Sequence, residues 1–575
     1  MKHKSSMAVR VGLILLLCLL FLAGGCSTTQ PSTTQSSTTQ PSTTQPAVNV
    51  MTVTSNIAVS SEASSPPVNN SVQTITLKFS EPLDTKTITG AVTLYKLDSV
   101  GNPVVEPCLV KIDPSNPALL LVNNMTVQKF TDGEEYKIVI SQNLKSTAGG
   151  ALEKEYTGFF ATNHAFVMSG NPDLSNTRSQ IVVISDIHLG VDDAFAETKE
   201  NRQALVDFLG QIRNSPNVKE LVIAGDLVDE WFLPMDYIMP ETEAALVDAI
   251  VANNRSVFDA FNNIIGDGII KVTYTNGNHD ILVTQADIER ILPGINQARD
   301  AEQGLGTYIT GVNSEIAIEH GHRYNFFCAP DPFSNRDITK NDTSILPPGY
   351  FFTRIATSSV VENHPASSNT FPAITGNEKD AIQYGYFLYA KIWDSILSGL
   401  PINESFSDKV IKTNIDGFTE DYAVNDLVPQ QDPNTGIFDV KLYKGIMDNW
   451  VERQKINGVA VNIALIDAVM KASDNHFTDT QANIQYFDRD ASRRIVVFGH
   501  THVTRNLLFT NLEGNNTIYA NSGTWIDNAS GYPNMTFVVI TLPNTDSGIE
   551  SVNVYKYSAN KLITQWEDAQ VITTR

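Results

Sequence analysis

From about Val48 to His164 the chain alternates apolar and polar residues in short runs. In "TITLKF", Ile75, Leu77 and Phe79 share one face while Thr74, Thr76 and Lys78 share the other; "EYKIVI" repeats the arrangement with Tyr136, Ile138 and Ile140. A period of two sets one side of an extended strand against a core and the other in water. "TDGE" and "TAGG" interrupt the runs as turns, so the segment predicts an all-β sandwich. From Gln180 the rhythm changes. The apolar strands "IVVIS", "ELVIAG", "KVTYTNG" and "SEIAIEHG" alternate with stretches such as "RQALVDFLGQIR", where Leu205, Leu209 and Ile212 recur at helical spacing. Between about Ala329 and Asp490, "AIQYGYFLYAKIWDSIL" and "VAVNIALIDAVMKA" read as helices joined by polar and Pro-rich loops. Strands resume in "RRIVVFGHTH", "TIYANSG", "MTFVVITLP" and "ESVNVYKY". The pattern predicts a multidomain chain: a sandwich over 48–164, an α/β core over 180–330 and 491–575, and a mainly helical insertion over 331–490.

The first 47 residues follow neither period. "MKHKSSMAVR" is basic and "VGLILLLCLLFLAGG" apolar, and the run breaks at Cys26. Residues 1–25 therefore read as a secretory signal, too short to favour a permanent spanning helix. "LAGGC" resembles the lipobox of bacterial lipoproteins, which implies that Cys26 is lipidated and that the mature protein is exported and anchored in the cell envelope. "STTQPSTTQSSTTQPSTTQP" follows, within a tether spanning 26–47 that has nothing apolar to bury. Of four cysteines, Cys108 and Cys328 remain for the folded body; they fall in different predicted domains, so two buried thiols are expected and no disulfide. In the sandwich, "FSEPLDTKTIT", "DGEEYKIVIS" and "LKSTAGGALE" resemble the SbsA-type bacterial Ig-like domain, which implies a spacer or adhesion module.

Length and charge narrow the possibilities further. At 575 residues the chain exceeds one hydrophobic core. Its net charge of −23 repels phosphate backbones at long range, so no coating of nucleic acid is expected. A phosphorylated substrate stays compatible, because bound dications reverse the local field.

The candidate chemistry sits where predicted strands end. Five blocks occupy such positions: "SDIHLG" (Asp186, His188), "GDLVDEW" (Asp226, Asp229), "GNHD" (Asn278, His279, Asp280), "EHGH" (His320, His322) and "GHTH" (His500, His502). In open α/β sheets, sites form beyond the carboxyl ends of strands, so distant blocks can converge. Six of the ten histidines fall inside these blocks, which a chance scatter would not produce. Oxygen and imidazole donors without thiolate suit hard-to-borderline dications. Alternation along a strand end would point Asp186 and His188, and likewise His500 and His502, the same way. The glycines Gly225, Gly277 and Gly499 would let backbone pass close to the cluster.

In this order the blocks resemble the calcineurin-like metallophosphoesterase family, with its D-x-H, GD-x-x-D, GNH[DE], lone His and GH-x-H pattern. The resemblance covers about Gln180–Pro330 and Arg493 to the C-terminus. It implies a two-sheet αββα core with two divalent metal ions at one edge, among which Mn, Fe, Zn, Ni and Co are not distinguished. One metal would take Asp186, His188, Asp226 and His502; the other Asp226, Asn278, His320 and His500. His279 would contact the phosphate or leaving oxygen, with Asp280 orienting it. Asp229 and His322 would lie behind the ligands. The implied activity is hydrolysis of a phosphate monoester, diester or pyrophosphate bond by a metal-activated hydroxide. Its substrate would be a phosphorylated small molecule, nucleotide or lipid derivative. The competing reading is a cell-surface binding or adhesion lipoprotein whose metal is structural.

Overall fold

The computed structural model describes residues 50–62, 66, 68–69, 74–97, 102–124, 130, 134–162, 178–361, 371–400, 402, 404–529, 531–543, 549–559, 561 and 563–573. The signal, the tether and Cys26 lie outside them. The described residues form two compact units, one from those within 167–540 and 552–568, the other from those within 23–166, 541–551 and 569–575. Among the described residues no helix is long and apolar enough to cross a membrane.

The N-terminal unit contains two antiparallel-rich sheets. One has four strands, Val53–Ser55, Ile75–Phe79, Asn116–Asn124 and Cys108–Asp113 in that order. The other has five: Val68–Asn69, Tyr156–Thr162, Glu135–Ile140, Val92–Leu97 and Pro103–Glu106. The alternation read from the sequence is the alternation of burial. Ile75, Leu77 and Phe79 are buried while Lys78 is exposed. Tyr136, Ile138 and Ile140 face the same core, where Tyr136 stacks on Phe160 with centroids 5.2 Å apart. Each such aliphatic side chain contributes about 1.5–3 kcal/mol by leaving water. This is the all-β sandwich that the pattern predicts.

The second unit places its chemistry by strand direction. β1 (Gln180–Ile184), β2 (Val218–Ala224), β3 (Lys271–Thr275) and β4 (Asn296–Gln297) are parallel neighbours, with Ile184 beside Ile223 and Ala224 beside Thr275. A second sheet contains β5 (Thr307–Thr310), β6 (Ile316–Glu319) and β7 (Ile495–Phe498); β6 and β7 run parallel. It continues through β8 (Arg505–Thr510) and β9 (Asn516–Asn521), in the order β5-β6-β7-β9-β8. β10 (Thr536–Thr541), β11 (Ile549–Tyr557) and β12 (Ile563–Thr573) extend the first sheet beyond β1. β1, β6 and β7 are buried at every position, which explains their unbroken apolar runs. Parallel neighbours end at the same edge of their sheet, so the blocks after β1, β2 and β3 emerge together, as do those after β6 and β7.

Helices flank these sheets. α1 (Arg202–Arg213) buries Leu205, Phe208, Leu209 and Ile212, with Phe208 4.7 Å from Phe537 of β10. α2 (Glu243–Asn253) and α3 (Arg255–Asp267) follow, and Arg213 of α1 forms a bidentate ion pair with Asp267 of α3. α4 (Gln285–Ile291) starts with a capping box made by Thr284 and Asp287.

The insertion contributes α5 (Gly349–Val361), α6 (Ala381–Gly399), α7 (Trp450–Ile456), α8 (Leu465–Met470) and α9 (Asn475–Ala482). The described residues between α6 and α7 are mostly loops with a two-residue ribbon, Gln430–Gln431 against Phe438–Asp439. The expected helix over 459–472 shrinks to α8, because the Gln454 side chain takes the Ile463 backbone N–H (2.6 Å) and Gln485 that of Val461 (2.8 Å). Those side-chain bonds satisfy the backbone without a helix.

Candidate metal-dependent active site

The five blocks meet. Past the end of β1, Asp186 and His188 turn into the left-handed region, at φ 52° and 49°; Asp226 does so after β2 (53°), and His500 and His502 after β7 (69° and 59°). Eleven residues other than glycine have positive φ among the described residues, and these are five of them. Such conformations cost about 1–3 kcal/mol each and persist where surrounding contacts over-determine them. Strand alternation is therefore not what aligns Asp186 with His188, or His500 with His502: both pairs lie off the strand, in turned backbone.

Interlocking hydrogen bonds hold these turns. Both oxygens of Asp186 accept from the His500 N–H (3.0 and 3.1 Å). The Asp186 carbonyl accepts from Trp525 N–H (3.0 Å) and the Thr524 hydroxyl (2.9 Å). Asp226 Oδ1 accepts from the His279 N–H at 2.8 Å. Gly225 has φ +84°, and a Cβ there would sit 2.6 Å from His320 Nδ1; a Cβ on Gly277 would collide with the Asp226 carboxylate. Backbone must come this close for the donors to converge.

The donor atoms surround a small common space. His502 Nε2 lies 3.2 Å from Asp186 Oδ1 and 3.1 Å from His188 Nε2, which is 3.6 Å from Asp226 Oδ2. On the other side His320 Nε2 is 3.0 Å from Asp226 Oδ2 and 3.1 Å from Asn278 Oδ1, and His500 Nδ1 is 2.8 Å from the same Asn278 oxygen. Asp226 belongs to both groups. At metal–ligand bonds of about 2.1 Å, adjacent ligands lie roughly 3.0–3.4 Å apart, so the spacing fits a coordination shell.

Proton bookkeeping supports the same fit. His320 donates Nδ1–H to the Ala224 carbonyl (2.8 Å), so a neutral ring turns a lone pair at Nε2 toward the oxygens of Asp226 and Asn278. His188 donates Nδ1–H to Asp229 (2.9 Å), and its Nε2 meets that of His502. Lone pairs facing one another require a proton or a cation between them. The demand for positive charge is visible in His320 and His188, whereas burial and the neighbouring His320 lower His500 to about 3. Burial pushes His320 down, but Asp226 and Asp186 outweigh it and carry its pKa up to about 9. His188 rises well above the ordinary value, with burial overcome by its bond to Asp229 and by Asp226 and Glu197. Asp226, although burial opposes it, is held well below the usual carboxylate range by His320 and His279.

His279 is placed differently from the ligand histidines. Its Nδ1 donates to Asp229 Oδ1 at 2.8 Å, and Trp231 packs against its ring with centroids 4.7 Å apart. The side chain retains 14% exposure, on the open side of the cluster. Burial lowers its pKa, yet the Asp229 charge raises it above the ordinary value overall.

Asp280, expected to orient His279, does not touch its ring. Asp280 instead accepts from Gly277 N–H (2.6 Å) and Leu227 N–H (2.8 Å), clamping the turns after β3 and β2 together. Burial and the nearby Asp226 raise its pKa to about 6 against those two bonds. Asp229 is the residue that orients His279, and it holds His188 with its other oxygen while capping the Trp231 and Phe232 N–H groups. His322 lies beside the ligand histidines, 5.4 Å from His320 between centroids, but donates away from them to the Gly304 carbonyl (3.0 Å). Glu197 was not anticipated: Oε2 approaches His188 Nδ1 to 3.5 Å from the loop after β1. A single glutamate in the acidic stretch "DDAFAETKE" carries no sequence signal for that role. Arg505, downstream of "GHTH", pairs with Asp479 at 3.0 Å. Cys108 and Cys328 are both free and half-buried.

Side-chain geometry groups Asp186, His188 and His502 as one candidate metal-holding set and Asp186, Asp226 and His320 as another, with one ligand atom from each residue of a set lying within 4.8 Å of the others. Parallel strands thus deliver carboxylates and imidazoles to one edge, and the donor set suits divalent metal. Residues 179–351 match the calcineurin-like phosphoesterase family and residues 28–162 the bacterial Ig-like domain family, so the chain carries one domain of each. That phosphoesterase family uses divalent metals. No curated protein matches the chain.

Solved structures match in part. The S-layer protein SbsC is 20% identical over 18% of this chain and 15% of its own, with a TM-score of 0.14. PcoC, a methionine-rich copper resistance protein from Escherichia coli, is 14% identical over 17% of this chain and 89% of its own (TM-score 0.14). CopC from Methylosinus trichosporium OB3b is 17% identical over 20% and 100% (TM-score 0.13).

Proposed function

We propose that this protein is an extracytoplasmic, metal-dependent phosphoesterase with a dinuclear site, tethered to the envelope through a lipid on Cys26. The observation that carries the reading is the convergence of seven donor residues from five strand ends around one shared carboxylate, Asp226. Asp186, His188, Asp226 and His502 would hold one divalent ion, and Asp226, Asn278, His320 and His500 the second. Bound there, the ions supply Lewis acidity toward phosphoryl oxygens and make a water nucleophile available near neutral pH. The chain's own residues supply the rest. Asp229 fixes His188 and His279 at once, so the ligand ring and the acid are set by one carboxylate. His279, its pKa raised by the Asp229 charge and its side chain open to the cavity, would act as the proton donor to the leaving oxygen. A merely structural metal site has no use for such a group, which favours the hydrolytic reading over adhesion alone.

The deciding experiment measures hydrolysis of p-nitrophenyl phosphate and its bis-ester by folded protein supplied with Mn²⁺, Co²⁺, Ni²⁺ or Zn²⁺. Metal-dependent turnover is expected; none with any ion at any pH would sink the assignment in favour of a binding protein. For the anchor, Cys26→Ser is expected to move the protein from the membrane fraction to the soluble one, and retention in membranes would refute it.

A further inference from the structure

A cavity of about 410 Å³ adjoins the metal-holding residues, and the insertion forms much of its wall. Its carboxylate and imidazole groups are those already described, Asp226, His279, His500 and His502, and neutral polar residues such as Asn325, Asn475 and Thr478 also line it. On α6 the cavity meets Leu388, Lys391, Ile392, Ser395 and Ile396, which recur at i, i+3, i+4, i+7 and i+8 and form one face. The aromatic residues of the same helix turn the other way. Tyr386, Tyr389 and Trp393 are buried, with Trp393 stacked on Phe352. They are the insertion's own core, which leaves a second face toward the cavity, aliphatic at Leu388, Ile392 and Ile396 and polar at Lys391 and Ser395. Phe352 of α5 and Val469 and Met470 of α8 join that face. Met470 and Tyr532, also in the wall, stay 40% and 41% exposed. Exposed aliphatic surface gathered at a polar reaction centre marks a binding surface.

We infer that the site takes phosphoesters bearing a bulky, uncharged, apolar substituent, which the α6 and α8 faces cover while the phosphate meets the metal edge. The inference rests on the phosphoesterase reading for its phosphate end and on the cavity wall for the rest. Charge in the wall argues against a nucleotide or a second phosphate. Among the described lining residues Lys391 is the only lysine or arginine, and its ammonium is paired with Asp394 at 3.0 Å. A sugar or base set against Leu388, Ile392 and Ile396 would lose hydrogen bonds to water that these three side chains do not replace.

The test uses n-alkylphosphonates from methyl to octyl, and phenyl- and naphthylphosphonate, bound to the metal-loaded full chain and followed by calorimetry. Each methylene is expected to tighten binding about fourfold until the cavity fills, as burial of one CH₂ implies. The aryl arm distinguishes a ring from a chain as the favoured substituent. Ile392→Asn should flatten the series, so that octylphosphonate loses far more affinity than methylphosphonate. Should that variant misfold, Ile392→Ala with Ile396→Ala should reduce the slope instead. Equal affinities along both arms, or a slope that survives both variants, overturns the proposal. A steep slope without hydrolysis of the matching alkyl p-nitrophenyl phosphodiesters keeps the apolar site and removes the phosphoesterase reading. Hydrolysis with a flat slope does the reverse.

Discussion

In the Ig-like sandwich, Ile75, Leu77 and Phe79 turn inward and the core they enter is hydrocarbon and aromatic. At the strand-end edge of the α/β unit, the groups that turn inward are Asp186, His188, Asp226, Asn278 and His320, all buried. The first region gains stability from every residue it hides. The second bears a desolvation cost for each charge, adds left-handed backbone at five positions, and recovers part of that through the bonds to Asp186, Asp226 and Asp229. The difference teaches where to look for function: a fold accepts this much unfavourable burial only where the converged groups have a task.

The comparison can be broken most directly at Asp226. Asp226→Asn removes the charge shared by both donor groups, and is expected to lower metal-dependent kcat/KM on the order of 10³-fold and to reduce bound metal measured by elemental analysis. Unchanged metal content would show that Asp226 is not the bridge. In the sandwich, Leu77→Ala should cost about 2–5 kcal/mol of stability in denaturant unfolding while leaving turnover per folded molecule alone. A parallel loss of activity would erase the functional contrast between the regions.

Asp229→Asn tests the corrected positioning role: a drop of roughly 10–100-fold in activity is expected, larger than that from Asp280→Asn. The opposite ranking would restore Asp280 as the partner of His279. The smallest effect is predicted in the insertion, where burial raises Asp416 to about 6 against bonds from Ile345 N–H, Leu346 N–H and the Ser344 hydroxyl. A folded pKa above the unfolded one means that its stabilising contribution is full below about pH 4 and is lost as pH rises through about 6. Asp416→Asn keeps an acceptor and tolerates the positive φ of this position, so it should flatten that slope by on the order of 2 kcal/mol in unfolding measured from pH 4 to 7.

Much of the arrangement was legible because periodicity reports burial directly. The alternation around Ile75 and Tyr136 gave the sandwich faces, and the fully apolar runs before Asp186 and His500 marked strands covered on both sides. Histidines and carboxylates following such runs could be read as a candidate centre, since parallel strands end at one edge. The helix pattern misled at 459–472, where Gln454 and Gln485 replace helical bonds from outside the segment.

What the sequence alone determined, then, is which residues are chemically able to act and which strands carry them to an edge, because both follow from local spacing. Only the tertiary structure decided that Asp229 and not Asp280 faces His279, that Glu197 backs His188, and that α6 offers aliphatic residues to the cavity while its aromatics serve the insertion's core. Those choices depend on which distant segment lies within about 3 Å of a given atom, a distance no local pattern encodes.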